Sequence, residues 1–157
     1  MSAATQSVRA TPTAAGMAAW RSFLIAHATI TRRLEAELLS EEDLSLASYD
    51  VLVQLAEAPQ RRLRMTELAG AVLLSRSGLT RLVDRLTQDG LVRREACEDD
   101  ARGTFAVLTL QGLDRLRKAA MVHLRGIEVH MTGRLDEDEL RALTALLGRL
   151  HVRGRRS

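Results

Sequence analysis

The sequence predicts a mainly α-helical fold with a small antiparallel β-wing. Residues 65–108 combine two short helix patterns with two strand-like runs, Leu91–Ala96 and Thr104–Leu108, which a charged loop joins. On both sides of this segment, apolar residues recur every three or four positions over long stretches, as is typical of amphipathic helices. A chain of 157 residues is expected to form one domain with a shared core.

An apolar stripe predicts the first long helix, from about Ala14 to Ser40. Residues 1–13 lack any such pattern and are expected to be a disordered N-terminal tail. Ser45 is expected to cap a second helix, which ends before Pro59 because proline cannot continue it. The residues of the first stripe are Trp20, Phe23, Leu24, His27, Ile30, Leu34 and Leu38.

The segment from Leu63 to Gln88 predicts a short strand followed by two short helices. Leu63 and Met65 are expected to pair with the later ribbon, and Thr66 is expected to cap the first of the two helices. Ser75 is expected to cap the second helix, which runs to about Gln88. Two short helices at a sharp angle allow the second to enter the major groove of DNA, which is about 12 Å wide.

Two further helices are expected after the ribbon. Thr109 is the predicted N-cap of a long helix, although Gly112 and Gly126 weaken its intrinsic preference for that structure. Asp136 and Glu139 form a capping-box pattern at the start of the last helix. The apolar stripes of the long helices exceed what one small central module can cover. We therefore expect a second copy of the chain to pack against them in a two-fold dimer.

Charge is unevenly distributed along the chain. The net charge is only +3, but residues 34–57 carry seven acidic residues and no Lys or Arg, whereas residues 60–81 carry five arginines and one Glu. This polarity is typical of a protein that presents a basic face to a polyanion. For either run alone, an ordinary solvated helix face is the alternative.

The helix that Ser75 caps carries the strongest candidates for DNA contact. Arginine can donate two hydrogen bonds to guanine, and serine and threonine can bind bases or phosphates. Any one such residue could equally belong to a solvated helix surface. Grouped at the N-terminal end of one helix face, they favour DNA. The predicted contact residues on this helix are Ser75, Arg76, Ser77, Thr80, Arg81 and Arg85.

The loop between the two strand-like runs predicts a second contact. Arg102 lies at the expected hairpin tip, where Asp100 can hold it in place for insertion into a minor groove. The alternative is a turn that only keeps the protein soluble. We interpret the loop acids, Glu98 to Asp100, as holding Arg93, Arg94 and Arg102 in position.

Other functions are disfavoured by what the sequence lacks. It contains no glycine-rich phosphate loop, nucleophile elbow or acid–base pair, so no catalytic residue is expected. The four histidines have no metal-ligand spacing, and neither a metal nor a cofactor is expected. Cys97 is the single cysteine, which excludes an internal disulfide and is typical of the cytoplasm. No apolar run approaches the roughly 18 residues of a membrane span, and no signal-peptide core is present, so we expect a cytoplasmic protein without a membrane partner.

These residues resemble the MarR family of winged helix-turn-helix transcriptional regulators. The resemblance is strongest in three segments, namely LSRSGLTRLVDRLTQDGLVRRE (74–95), DDARG (99–103) and LTLQG (108–112). YDVLVQLAEAP (49–59) and the flanking helices are also similar. A wing with Asp-x-Arg followed by Leu-Thr-x-x-Gly is a specific combination.

The resemblance implies a single domain over residues 14–157. Within it, residues 45–108 would form the winged helix-turn-helix DNA-binding part, and residues 14–40 and 109–152 the dimerisation helices. It also implies a homodimer that binds pseudo-palindromic operators in double-stranded DNA and usually represses nearby genes. The family's DNA-contacting positions fall on Arg76, Ser77, Thr80 and Arg81 in the helix, and on Asp100 and Arg102 in the wing.

The resemblance further implies a small effector, often phenolic or anionic, that weakens DNA binding. The matching cleft would be lined by Trp20, His27 and Tyr49, whose rings and polar tips suit a small aromatic acid. The alternative for each is a core residue with a satisfied polar group. Peroxide-sensing members of the family carry a cysteine in the first helix. Cys97 lies instead in the wing beside acids, which disfavours a redox sensor.

The sequence therefore predicts a homodimeric, sequence-specific DNA-binding regulator, a repressor that a small ligand releases from DNA. Two alternatives stay open. One is a winged-helix protein-interaction module, because a fold does not fix a function. The other is a DNA-binding protein that responds to no ligand. Neither the operator sequence nor the identity of an effector can be derived from the side chains.

Overall fold

The computed structural model describes residues 11–72, 75–97 and 100–150, and within these ranges the side chains of Arg76 and residues 100–102 lie outside the description. The predicted disordered tail therefore falls outside the described residues, apart from residues 11–13. The helices are α1 (Ala14–Glu42), α2 (Leu46–Glu57), α3 (Met65–Ala71), α4 (Arg76–Gln88), α5 (Leu110–His130) and α6 (Glu137–Leu150). The strands are β1 (Arg62–Arg64), β2 (Val92–Cys97) and β3 (Asp100–Leu108).

The serine and threonine caps expected from the sequence are confirmed at three helices. Ser45, Ser75 and Thr109 each accept a hydrogen bond from the backbone N–H three residues later, at 2.9–3.1 Å. Asp136 and Glu139 form the predicted reciprocal pair at the start of α6, with distances of 2.8 and 2.9 Å. These side chains satisfy backbone donors that the first turn of a helix leaves unpaired.

The predicted cap at Thr66 is wrong. The helix begins one residue earlier, at Met65, and Glu67 Oε2 accepts a hydrogen bond from the backbone N–H of Arg64 at 3.0 Å. Arg64 is therefore the N-cap, and Thr66 lies in the first turn. The short strand also lies one residue earlier than predicted, at Arg62–Arg64 instead of Leu63–Met65.

The three strands form one antiparallel sheet in the order β1-β3-β2, as the predicted ribbon and its extra strand require. Phe105 on β3 lies between Arg64 on β1 and Glu95 on β2. The pairing of β2 with β3 becomes irregular between Ala96 and Cys97, next to the hairpin. The register fixes which side chains of the wing share a face, because neighbouring residues of a strand point to opposite sides.

The core lies where α2, α3, α4 and the sheet meet α5. We call residues 46–108 the head, and α1, α5 and α6 the flanking helices. Apolar side chains of the head fill most of this core, together with the last buried turn of α1. The most deeply buried large side chains are Leu38, Val51, Leu52, Leu55, Leu68, Leu79, Val83, Leu86 and Val92.

Two glycines that weaken the helix pattern mark close approaches of α5 to its neighbours. A Cβ atom at Gly112 would collide with the backbone carbonyl of Leu91. A Cβ atom at Gly126 would come within 2.6 Å of the side chains of Leu34 and Glu37 on α1. The cost of glycine in a helix is therefore offset by packing that no larger residue would allow.

The flanking helices leave much of their apolar surface uncovered. The predicted stripe of α1 is buried only at Leu34 and Leu38, whereas Trp20, Phe23 and Leu24 are exposed. None of the residues of α6, all of which the structure describes, is buried. Within the described ranges, no helix is long and apolar enough to cross a membrane.

Candidate nucleic-acid interface

One face of α4 is buried and the opposite face is polar and basic. Leu79, Leu82, Val83 and Leu86 pack into the core. The serine at the N-cap determines where the helix starts. The amphipathic spacing of these apolar residues determines which side of the helix faces solvent. The exposed predicted contact residues are Ser75, Ser77, Thr80, Arg81 and Arg85.

Hydrogen bonds of Ser75 cap the N-terminal end of α4. Ser75 Oγ accepts the N–H of Gly78 at 3.1 Å and lies 3.4 Å from Ser77 Oγ. Arg81 and Arg85 follow one turn apart on the exposed side. The helix therefore presents hydroxyls at its first turn and guanidinium groups in the next two turns. The side chain of Arg76 lies outside the described residues.

The wing contributes the second predicted contact region. The strand predicted to start at Thr104 begins at Asp100 instead, so Asp100 and Arg102 belong to β3 and Arg102 is its third residue rather than part of the connecting loop. Their side chains are not among those described, so the predicted contact between them is not tested by the geometry. Glu98 and Asp99 also lie outside the described residues.

The described partners of the β2 arginines lie outside the wing loop, and the predicted pairing with the loop acids is not tested. Arg94 Nη2 donates to Asp84 Oδ1 on α4 at 2.9 Å, and Arg93 forms an ion pair with Glu95 on its own strand. Among the described residues, the acids that hold these arginines are thus Asp84 and Glu95. The prediction missed both because they become neighbours only once β2 packs beside α4 and the strand is pleated.

A further basic cluster lies on the outer face of the sheet. The guanidinium carbons of Arg62 and Arg64 lie 4.7 and 5.5 Å from the centre of the Phe105 ring. Arg62 Nη1 also lies 3.5 Å from Glu95 Oε2. The quadrupole of an aromatic ring attracts cations electrostatically, so the ring groups these arginines at the base of the wing. The sequence analysis counted both arginines in the basic run of residues 60–81 but did not predict their aromatic partner.

A polar notch of about 290 Å³ separates α4 from the base of the wing. Thr80 of α4 forms part of one wall, and Arg94 of β2 with Thr104 of β3 forms part of the other. The notch is lined by Arg64, Met65, Thr66, Thr80, Arg94, Gly103 and Thr104. Sequence reasoning included only Thr80 of this group among the contact residues.

Among the described ring contacts, the three predicted effector residues belong to two separate groups. Trp20 and His27 both stack against Phe23 on the exposed side of α1, with ring centres 6.2 Å apart in each pair. Tyr49 is buried at the start of α2, where its ring lies 4.5 Å from that of His123 on α5. No described ring contact links the two groups.

Burial shifts the proton equilibria around Tyr49. It raises the pKa of Tyr49, and the nearby carboxylates of Asp50 and Glu57 raise it further. Burial also raises the pKa of Asp50 and lowers the pKa of His123, and the attraction between these two groups opposes both shifts. His123 Nδ1 is buried and has no hydrogen-bond partner among the described residues. This junction between the head and α5 therefore disfavours charge.

Comparison with known proteins gives a consistent result. A family model described as MarR family matches residues 42–103. The HTH-type transcriptional repressor YetL of Bacillus subtilis (strain 168) is 32% identical over 112 residues, which cover 69% of this chain and 67% of that protein. The HTH-type transcriptional regulator PecS of Dickeya dadantii (strain 3937) is 31% identical over 123 residues, which cover 77% of this chain and 72% of that protein.

Two solved structures superimpose on nearly the whole chain. AbsC, a MarR family transcriptional regulator from Streptomyces coelicolor, superimposes with a TM-score of 0.82 at 36% identity, covering 90% of this chain and 95% of that one. Sco3205, a MarR family transcriptional regulator from the same organism, was solved in complex with DNA. It superimposes with a TM-score of 0.83 at 36% identity, covering 90% of this chain and 89% of that one.

Proposed function

The chain belongs to the MarR family of transcriptional regulators, and from that premise we propose that it acts as a homodimeric repressor released by a small ligand. It is a DNA-binding regulator and not an enzyme. In the proposed complex, the α4 helices of two copies enter successive major grooves of a pseudo-palindromic operator. Half-sites about one helical turn apart suit such a two-fold particle.

The exposed face of α4 is the observation that supports this proposal most strongly. It combines two hydroxyls at the capped first turn with Arg81 and Arg85 in the following turns. Side chains near the N-terminal end of such a helix are the ones that reach base edges. Arg81 is the proposed guanine contact, whereas Ser75 and Ser77 bind the backbone or the edges of bases.

The wing is proposed to insert Arg102 into the adjacent minor groove. A narrow minor groove carries a strongly negative potential, and an arginine there responds to groove width more than to base identity. We expect Arg102→Ala to weaken binding to all duplexes by a similar factor. A loss confined to particular base pairs would contradict this role for the wing.

The proposed homodimer rests on apolar side chains that one copy leaves in contact with water. They occur on each of the three flanking helices, and a patch of this kind marks an interface. A second copy related by two-fold symmetry would cover them with the same surface of its own. The exposed residues are Trp20, Phe23, Leu24, Ile25, Leu39, Leu110, Met121, Leu124, Val129, Leu146 and Leu150.

Direct DNA titration tests the core of this proposal. Binding of the full chain to duplexes selected from a random pool is followed by fluorescence anisotropy at several salt concentrations. We expect a linear fall of log K with log salt, because binding releases counterions from phosphates. Two chains should bind each duplex. If no duplex binds in a salt-dependent way, the regulator proposal fails and a protein-interaction module becomes the better interpretation.

The proposed effector is a small aromatic acid that contacts Trp20, His27 and Tyr49. The chain has one Trp, so tryptophan fluorescence reports on position 20 alone. Salicylate is expected to quench this emission in a saturable way and to lower operator affinity over the same range. His27→Gln and Tyr49→Phe should weaken both responses, because each removes a polar tip from the proposed cleft.

The effector experiment also separates the two remaining DNA-binding alternatives. Arg93→Gln, on the wing strand and outside the proposed cleft, serves as the control and should keep the full salicylate response. If operator affinity stays constant with salicylate and with a panel of substituted benzoates, the chain binds DNA without such a ligand.

A further inference from the structure

The notch between α4 and the wing lies where a DNA strand must pass if both elements bind DNA. The major and minor grooves of a duplex are separated by one sugar–phosphate backbone. A protein that places a helix in one groove and a hairpin in the next therefore straddles that backbone. This step rests on the proposed placement of α4 and the wing in adjacent grooves.

The chemistry of the notch suits a phosphate. Thr66, Thr80 and Thr104 bring hydroxyl groups, and Arg94 brings a guanidinium group. Hydroxyls and guanidinium groups supply many of the contacts that proteins make with phosphate oxygens. The walls come from three different elements, α3, α4 and the β2–β3 wing, so a group held there would be fixed relative to all of them.

Arg94 is held in place before any ligand arrives. Asp84 on α4 accepts a hydrogen bond from its Nη2 at 2.9 Å, and the Arg94 side chain is 32% exposed. An arginine already oriented by a carboxylate loses less side-chain freedom when it binds an anion. Asp84 also bridges the wing to α4, because Arg94 belongs to β2.

We propose that Thr66, Arg94 and Thr104 form a clamp that binds one backbone phosphate of DNA between the α4 and wing contacts. The clamp sets the position of the duplex relative to both elements and adds affinity that does not depend on base sequence. It is distinct from the base contacts of α4 and from the minor-groove contact of Arg102.

The neighbouring arginine provides a matched control. Arg93 and Arg94 are adjacent on β2, carry the same charge and are both paired with an acid. Arg94 lies opposite Ala106 and Arg93 opposite Val107 in the sheet register, so their side chains point to opposite faces. Only Arg94 lines the notch.

The test compares Arg94→Gln with Arg93→Gln in the full-length chain, using the selected operator and an unrelated duplex of equal length. Arg94→Gln should weaken both complexes by a similar factor of about 10, with a salt slope that falls by about 0.9 because one phosphate contact is lost. Arg93→Gln should keep the salt slope and lose less than about threefold. Equal losses in the two variants would overturn the clamp, because the effect would then be one of overall charge.

Asp84→Asn separates the phosphate contact from a structural role of Arg94. It removes the charge that holds Arg94 and also removes a negative charge near the phosphate. The clamp predicts a clearly smaller loss of DNA affinity than Arg94→Gln causes, because the lost orientation of Arg94 is partly offset by removal of a negative charge near the phosphate. If Asp84→Asn loses as much affinity as Arg94→Gln, the ion pair and not a phosphate contact explains both, and the clamp is wrong.

Threonine variants keep the clamp testable if Arg94→Gln does not fold. Thr66→Val and Thr104→Val preserve shape and remove only the hydroxyl. Each should weaken operator and unrelated duplexes equally, by a few-fold, without changing the thermal midpoint. Unchanged affinity in both variants would contradict the clamp. Wild-type protein that binds no duplex at all would instead contradict the proposed function, so the two failures are distinguishable.

Discussion

The head buries its large apolar side chains, whereas the flanking helices leave many of theirs exposed. In the head, Leu79 on α4 is 1% exposed and Val83 is fully buried. In the flanking helices, Met121 on α5 is 71% exposed and Leu150 on α6 is 76% exposed. The head thus completes its core within one chain, whereas the flanking helices need an additional surface. Folding of the head and burial of the apolar faces of the flanking helices are therefore separable properties.

In the proposed dimer, the same difference would determine how two heads are positioned. A single α4 would contact one half-site, and affinity would grow strongly when a second head is held at a matching distance. That distance would be set by the helices whose apolar faces one copy leaves open. Substitutions in the flanking helices should therefore change affinity without changing base preference, whereas substitutions in the α4 face should change base preference.

The largest effect is expected for Leu146→Asp on α6. Leu146 is 56% exposed, so the charge does not disturb the fold of one chain, but it would be buried in the proposed dimer. We expect a monomer by light scattering and a loss of operator affinity of about 100- to 10,000-fold, because the second head no longer binds as part of one particle.

Thr144→Asp is the control for this variant, since Thr144 is exposed on the same helix and the introduced charge is the same. It should remain a dimer with nearly normal affinity. A dimeric Leu146→Asp protein would show that α6 does not form the interface and would break the contrast between the two regions.

The next effect is expected for Leu79→Ala in the head. Removing a fully packed leucine side chain leaves a cavity and lowers the free energy of unfolding by about 2–5 kcal/mol. Leu150→Ala should change it by less than about 0.5 kcal/mol when both are measured by urea denaturation in the monomeric Leu146→Asp background. Similar losses at both positions would mean that α6 packs on its own chain as tightly as α4 does.

The smallest effect is expected at His123, where α5 meets the head. Burial lowers its pKa below 6.5, so the unfolded chain takes up this proton first as pH falls. The free energy of unfolding should therefore fall as pH drops below 6.5, down to the lowered pKa of the folded state. Above 6.5 His123 is neutral in both states and contributes no slope.

His123→Gln should remove this slope in denaturation curves recorded from about pH 5 to pH 7.5. Asp50 gives a slope of opposite sign, since its raised pKa favours the folded state at low pH and this advantage is lost as pH rises above 3.8. That window lies lower than the one for His123. A slope that persists unchanged in His123→Gln would assign the acid sensitivity to other groups.

Local signals explain most of what the sequence predicted correctly. The caps at Ser45, Ser75 and Thr109 act on backbone groups three residues away, and the buried face of α4 follows from helical spacing alone. Thr66 failed because a competing local signal, Glu67 reaching back to the N–H of Arg64, determines where α3 begins. Both outcomes lie within one helical turn, where sequence patterns carry the physical information.

Sequence patterns could not predict contacts between elements that are far apart in the chain. The pairing of Arg94 with Asp84 requires β2 to lie beside α4, and the sequence offered closer acids in the wing loop. Gly112 was treated as a weak point of a helix, whereas the structure uses it for contact with the backbone of Leu91. The predicted roles of Trp20, His27 and Tyr49, and of Arg102 in the wing, stay predictions.

The central claim is that the exposed face of α4 reads base edges in two symmetric half-sites. Selection of bound duplexes from a random pool, carried out in parallel with the wild type and Arg81→Ala, tests it most directly. The account predicts an inverted-repeat motif for the wild type. In Arg81→Ala it predicts reduced preference at the same position of both half-sites, worth about 1–3 kcal/mol per contact. An asymmetric wild-type motif, or an Arg81→Ala motif that matches the wild type at every position, would contradict it.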